Sequence, residues 1–274
     1  MDCIPAYKNA LGHDRAFLLH FAAQPQQHNP IATMERKDAF NFAGSYYLRY
    51  PERQRDIAAI LDTVKTLRPV EIYDRNHGKD HPHYQFPAEY QSMILGRLPF
   101  SEIDKAYNGY RYGINMNTIK KSQTMFARRV FELMASNTVV VSNFSRGVRM
   151  LFGDLVICSD NADQIHAPLA QLADDDIRYR KFRLQGLRKV MREHTYSARL
   201  DYIMSKIRGE AYTPILPGTA VVAHARSASD ARVLITAFQR QTHSAKHMFL
   251  LCSGTATGTA NTATITAFTE RDAL

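Results

Sequence analysis

Apolar and polar positions along this chain follow two alternating periods. Ala39-Phe40-Asn41-Phe42-Ala43 is a short apolar run closed by Gly44-Ser45, and it predicts a strand. Pro51 suits the first turn of a helix, and Ile57, Ile60, Leu61 and Val64 then recur at helical spacing. Pro69-Val70-Glu71-Ile72-Tyr73 predicts the next strand, and a polar loop runs from Asp74 to Pro87. A short helix is expected from Ser101 to Tyr107, with Ser101 as its N-cap and Glu102 in its first turn. A strand follows from Arg111 to Met116, then a helix from Gln123 to Ser136 that starts near Ser122 or Thr124. Thr138-Val139-Val140-Val141-Ser142 is almost wholly apolar, as in a strand buried on both faces of a parallel sheet, and Leu155-Val156-Ile157-Cys158 repeats the pattern. Strands alternating with helices predict a doubly wound α/β sheet, whose ligands bind beyond the carboxyl ends of the strands.

Past this point the pattern changes. A long helical stretch is expected from Asp176 to Ile207, rich in Arg and Lys, with Phe182, Leu184, Leu187 and Val190 as a partial apolar stripe. Pro214 and Pro217 break it. Thr219–Ala225 reads as a strand, Asp230–Arg240 as a helix and Met248–Cys252 as another strand. The run from Ser253 to Thr264 holds only Ser, Gly, Thr, Ala and Asn, a composition expected to pack poorly. Three regions result. Residues 1–35, with Gly12, Pro25 and Pro30, read as a turn-rich connector from a preceding domain. Residues 36–208 form the α/β domain. Residues 209–274 form a truncated β-α-β start, expected to fold incompletely.

Composition narrows the classes. A chain of 274 residues can bury a sizeable core. It contains no apolar run long enough for a membrane span, and Met1-Asp2-Cys3-Ile4-Pro5 lacks the basic and apolar regions of a signal peptide. Cys3, Cys158 and Cys252 are too far apart for a metal site or disulfide framework, which fits a reducing, cytoplasmic setting. The net charge of +9 suits a solvated basic surface, a nucleic-acid binder or a site for an anion such as a nucleotide diphosphate. Apart from Arg178 to Arg192 the basic residues are dispersed, and no stacking-aromatic or zinc-finger pattern accompanies them, which disfavours nucleic acid.

The densest chemistry lies around the expected helix before Thr138. Phe126, Val130, Leu133 and Met134 form an apolar face, while Arg128 and Glu132 are four apart and share another. A helix N-terminus can take phosphate, a carboxylate can accept from a ribose diol, and Arg can pair with phosphate oxygens. An ordinary amphipathic helix with a surface Arg–Glu pair satisfies the same spacing. His77, His81 and His83 could ligate a metal, but Gly78 and Pro82 make the segment a loop with no Cys nearby, so no metal is expected. Asp174-Asp175-Asp176 is explained by negative charge at a helix N-terminus.

Several of these segments together resemble one family. Phe42-Ala43-Gly44-Ser45-Tyr46, the strand from Tyr112 to Asn117, the unit from Arg128 to Asn143, Leu151-Phe152-Gly153-Asp154, and His194-Thr195-Tyr196 with Arg199 are similar in order to the CgeB-like (spore-protein-type) glycosyltransferases, over roughly residues 1 to 208. The resemblance implies the C-terminal, Rossmann-like half of a two-domain GT-B glycosyltransferase. It binds a nucleotide-diphosphate-sugar donor, needs no other cofactor, transfers the sugar to an unknown acceptor, and is completed by an N-terminal Rossmann domain. It implies Glu132 as the ribose ligand, and Gly44 and Ser45 where the backbone meets the diphosphate. Arg49 or Arg53 would neutralise that diphosphate, assisted by Arg128 or Arg129, and Asn115 would lie at the donor site. The second acidic residue that many relatives carry two turns before the ribose Glu has no counterpart, since that position falls near Thr124. No general base stands out. A non-catalytic binding module of the same fold is the alternative. Ala220–Ala225, Phe238–Thr242 and Met248–Leu251 are weakly similar to the opening of a family-2 type glycosyltransferase domain.

Overall fold

The computed structural model describes residues 3–31, 34–213, 218–242, 246–253 and 265–269. The chain divides into two compact units, Met1–Tyr212 and Thr213–Leu274.

The larger unit opens with helix α1 (Ile4–Leu11), which lies inside the region expected to be turns and loop. Then follow β1 (Lys37–Gly44), α2 (Pro51–Val64), β2 (Val70–Asp74), β3 (Ile94–Gly96), α3 (Asp104–Asn108), β4 (Tyr110–Asn115), α4 (Arg129–Ala135), β5 (Val139–Ser142), α5 (Arg146–Phe152), β6 (Ile157–Cys158), α6 (Ala162–Asp174), α7 (Asp176–Glu193) and α8 (Tyr196–Arg208). The six strands form one parallel sheet in the order β3-β2-β1-β4-β5-β6. The chain begins at the centre, builds outward to β3, then returns past β1 to build the other half. The order reverses between β1 and β4, and that switch point opens a crevice beyond their carboxyl ends.

Both faces of the sheet are covered, as the continuous apolar strands require. Phe40, Phe42, Ile114, Val139 and Val141 pack with Ile57, Ile60, Leu61 and Val64 of α2 and with Ile165, Leu169 and Leu172 of α6. Ala43 and Val140 face the other way, into a core of Tyr107, Val130, Phe131, Leu133, Met134, Val148, Phe152 and Val190. Helix α4 ends in a Schellman turn. Asn137 takes the left-handed conformation at φ 57°, its N–H donates to Met134 O, and the Thr138 N–H donates to Leu133 O. That turn feeds directly into β5 and sets the helix against the sheet.

The doubly wound α/β architecture is as expected, with local corrections. The helix expected from Gln123 is ordered as helix only from Arg129. Ser122 Oγ accepts from the N–H groups of Thr124 and Met125, and Asn117 Oδ1 accepts from Ala127 N–H, so side chains satisfy this backbone in an irregular loop. Ser101 is not an N-cap; it sits within a 3₁₀ turn, Phe100–Glu102, ahead of α3. The long stretch from Asp176 is two helices, broken where Thr195 caps α8 by accepting from Ala198 N–H and where Ala23 bridges to Thr195. Asp175 caps α7 by accepting from Arg178 N–H. Strand β3 and helices α5 and α6 complete the count.

In the smaller unit, β7 (Thr219–Ala225), α9 (Ala228–Gln239), β8 (Lys246–Cys252) and β9 (Ile265–Thr269) form a three-stranded parallel sheet in the order β7-β8-β9. Phe238 and Ala231 of α9 are buried with Ala225, Met248, Leu250, Cys252 and Ile265. The β-α-β pattern read from the sequence thus gains a third strand. Pro214, Pro217 and the low-complexity run 254–264 lie outside the described residues.

Candidate functional site

A cleft of about 700 Å³ opens at the switch point, above the ends of β1 and β4. Strand β1 delivers Ala43, Gly44 and Ser45 to it, and the segment after β4 delivers Met116 and Thr118. Arg53 enters from α2, Tyr107 from α3, and Arg128, Arg129 and Glu132 from the start of α4. The remaining wall comes from Tyr47, Tyr73, Arg75, Leu98, Phe100 and Ile103, and from a distant stretch with Phe21, Gln24, Gln27 and His28, together with Tyr196 at the head of α8.

Of the residues singled out in the sequence, the structure brings Gly44, Ser45, Arg53, Arg128, Arg129 and Glu132 together around this cleft. It does not bring Arg49 and Asn115 there. Arg49 is exposed, with its guanidinium 5.8 Å from the Tyr50 ring. Asn115 is fully buried, and its Nδ2 donates to Ser142 Oγ at 3.0 Å. Asn117 Nδ2 donates to the same hydroxyl, so this network joins the ends of β4 and β5 beneath the cleft floor. Gly44 has a packing reason of its own: a Cβ there would stand 2.6 Å from the Phe42 ring. The Ser45 hydroxyl accepts from Asn76 Nδ2 at 3.2 Å.

Glu132 is almost wholly buried, and its two oxygens are held separately. The Tyr107 hydroxyl donates to Oε2 at 2.7 Å, and Arg128 Nε lies 3.1 Å from Oε1. Burial pushes the Tyr107 hydroxyl up to about 12, with Glu132 adding to the rise and Arg129 opposing it, so it remains a donor at neutral pH. Burial also lowers His28, with Arg128 adding to the effect and Glu132 opposing it.

Two further guanidiniums of different character line the cleft, Arg53 from α2 and Arg129 from the start of α4. Arg53 is only 8% exposed and stacks 4.9 Å from the Tyr47 ring. Burial lowers its pKa, and Arg129 lowers it further by like-charge repulsion. Arg129 is half-buried, and its Nε has no hydrogen-bond partner among the described residues. Among the described residues neither arginine has a carboxylate oxygen within 4.0 Å. The nearby Asp56 is already engaged: Lys120 Nζ lies 3.0 Å from it and Asn143 Nδ2 donates to it at 2.8 Å. Two buried or half-buried cations without counter-ions cost stability unless an anion joins them.

His194, Thr195 and Arg199 act at a distance from the cleft as a latch. Arg199 donates to His20 O at 3.0 Å, Phe21 O at 2.9 Å and Glu193 O at 3.1 Å, while Ala23 N–H donates to His194 O. This clamps the segment carrying Phe21 to His28 over the cleft. Burial and Arg199 drive His194 down to about 3, so it is neutral and its Nδ1 accepts from Arg199 Nη2. His28 and Tyr107 escaped the sequence reading, since neither lies in a motif or on the helix that carries Glu132.

Among the described residues no group of three His, Cys, Asp or Glu is placed to hold a metal. In the His77–His83 loop, His81 Nδ1 accepts from His83 N–H and its ring packs on Tyr84. No helix among the described residues is long and apolar enough to cross a membrane.

A protein-family model described as glycosyl transferase-like matches residues 31–205. A search of curated protein sequences finds no match. Among solved structures, sucrose-phosphate synthase of Thermosynechococcus elongatus is similar at a TM-score of 0.53 and 12% identity, over 75% of this chain and 55% of that one. The chain therefore spans little more than half the length of that synthase, and the likeness is one of fold. TarM is similar at a TM-score of 0.47 and 11% identity, over 68% of this chain and 37% of its own. An α1,3-fucosyltransferase is similar at 0.37 and 11% identity, over 64% and 47%.

Proposed function

The chain belongs to the glycosyl transferase-like family, and on that premise we propose that its larger unit is the donor-binding half of a GT-B glycosyltransferase of the CgeB-like kind. It binds a nucleotide-diphosphate sugar in the switch-point cleft and works with an N-terminal domain that supplies the acceptor side. The observation that carries this is the pair Arg53 and Arg129. They face the cleft without carboxylate partners among the described residues, and the buried Glu132 lines the same cleft. A diphosphate between the arginines relieves their repulsion, and a ribose attached to it meets the carboxylate. As the sugar bond breaks, negative charge grows on the leaving diphosphate, and these pre-placed guanidiniums stabilise it. Three free cysteines support a cytoplasmic setting.

One observation favours a second reading, a binding module without catalysis. Among the described residues that line the cleft, Glu132 is the only carboxylate. A transferring enzyme then takes its base from the acceptor side. A thermal-shift panel of nucleoside diphosphates and their sugars tests the donor site, because a ligand that binds only the folded state raises the melting temperature. A rise with one or more nucleoside diphosphates is expected. No rise with any of them, at concentrations far above micromolar, contradicts it.

A further inference from the structure

Glu132 is not the only polar group aimed at the ribose end of the cleft. His28 is 9% exposed and lines the same wall. Its Nδ1 accepts the Gln24 N–H at 3.1 Å, within a turn in which the Gln27 and His28 N–H groups both donate to Gln24 O. A nitrogen that accepts carries no proton, so the neutral ring bears its N–H on Nε2. That Nε2 lies 4.0 Å from Glu132 Oε1, too far for a direct hydrogen bond. The ring is also fixed from the side by Tyr107, with centroids 5.9 Å apart. Burial, the largest influence, keeps the imidazole neutral, and the charged and titratable groups facing it are Glu132 of α4, Arg128 just ahead of that helix and Tyr107 of α3.

We infer that His28 and Glu132 form a matched donor–acceptor pair that grips one ribose hydroxyl of the nucleotide, so that His28 is a ribose-binding residue that selects ribonucleotides over deoxyribonucleotides. The geometry permits it: one oxygen can sit about 2.8 Å from both Nε2 and Oε1 across a gap of this width. That hydroxyl donates its proton to Glu132 and accepts the His28 N–H, using both of its capacities. Arg128 and Tyr107 each occupy one lone pair of the carboxylate, which leaves acceptor capacity for the sugar. The inference rests on the donor reading above and adds a ligand contributed by the segment that Arg199 clamps.

Calorimetric titration of the full chain with uridine, guanosine and adenosine diphosphates, and with their 2′-deoxy and 3′-deoxy forms, tests it. The wild type should bind its preferred ribonucleotide more tightly than one of the deoxy forms. His28→Asn keeps an acceptor for the Gln24 N–H but removes the donor at the Nε2 position. It should weaken ribonucleotide binding by about three- to tenfold, the range of one hydrogen bond, and leave the discriminated deoxy form nearly unchanged. His28→Gln restores an N–H near the Nε2 position and should recover part of the discrimination. Equal losses for ribo and deoxy forms assign His28 a structural role only and overturn the inference. A wild type that binds ribo and deoxy forms equally overturns it too, while leaving the nucleotide reading intact. A wild type that binds none of the diphosphates overturns both.

Discussion

The Tyr107 hydroxyl donates a 2.7 Å hydrogen bond to Glu132 Oε2 in a buried setting, and so ties the helix before β4 to the carboxylate that lines the cleft. Tyr107→Phe removes the donor and leaves a buried carboxylate oxygen short of a partner. The expected loss is about 1–3 kcal/mol of folding stability, read from a denaturant melt, together with weaker nucleotide binding as Glu132 loses its fixed rotamer. Unchanged stability and affinity would mean that the bond is not formed in solution.

Arg53 should behave in the opposite sense. It is buried and, among the described residues, has no carboxylate partner. Arg53→Met keeps the length of the stem and removes the unpaired charge. Folding stability without ligand should stay level or rise, while nucleoside diphosphate affinity falls by about tenfold or more, as for a lost hydrogen bond to a charged group. A surface arginine would show neither change, and a structural one would show a loss of stability.

Arg199→Ala tests the latch. It deletes the guanidinium that holds the carbonyls of His20, Phe21 and Glu193. Amide exchange should accelerate across 20–28, with Ala23 N–H, which donates to His194 O, the clearest reporter. Exchange as slow as in the wild type would show that the segment is held by other contacts.

Acid stability carries a sign that follows from His194. Its pKa falls from 6.5 to about 3 in the folded chain through burial and Arg199. The folded state therefore binds fewer protons than the unfolded one between those values. The contribution of this group is complete above pH 6.5 and is lost as pH falls toward 3, by at most about 1.4 kcal/mol per pH unit. His20 and His28 are lowered in the same direction. Denaturant melts between pH 4 and 7 should show a steep decline in the wild type and a shallower one in His194→Asn, which keeps an acceptor for Arg199. Identical slopes would contradict the assignment.

The central strand β5 was legible as an apolar run buried throughout, β1 and β4 as mostly buried runs with few polar positions, and β2 as an alternation of buried Val70, Ile72 and Asp74 with half-buried Glu71 and Tyr73. Edge strand β3 was not, since Ile94-Leu95-Gly96 is too short for any period to show. Helix α6 was hidden by Pro168 in its interior. The start of α4 was over-read because Met125 and Phe126 continue its apolar spacing, yet Asn117 and Ser122 cap the intervening N–H groups in a loop. The break between α7 and α8 carries no Gly or Pro. It is made by the Thr195 cap and a tertiary bridge to Ala23. Glu132 and Arg128 could be paired by helical spacing alone. His28 and Tyr107 reach the same carboxylate only through the fold, and no local pattern announces a contact between elements so far apart in the chain. Arg49 and Arg53 lie four apart near the start of α2, and only the direction the chain takes there decides which enters the cleft.

The central claim is that the switch-point cleft binds the nucleotide of a sugar donor through Glu132. Calorimetric titration of the wild type and Glu132→Gln with the tightest-binding nucleoside diphosphate tests it most directly. Gln keeps the volume and an acceptor for Tyr107 but gives up the charge that faces Arg128 and that is proposed to meet the ribose. The account predicts measurable wild-type binding and a loss of about tenfold or more in the variant, with the variant still folded in a denaturant melt. Equal affinities in a folded variant would contradict it and remove Glu132 from the site.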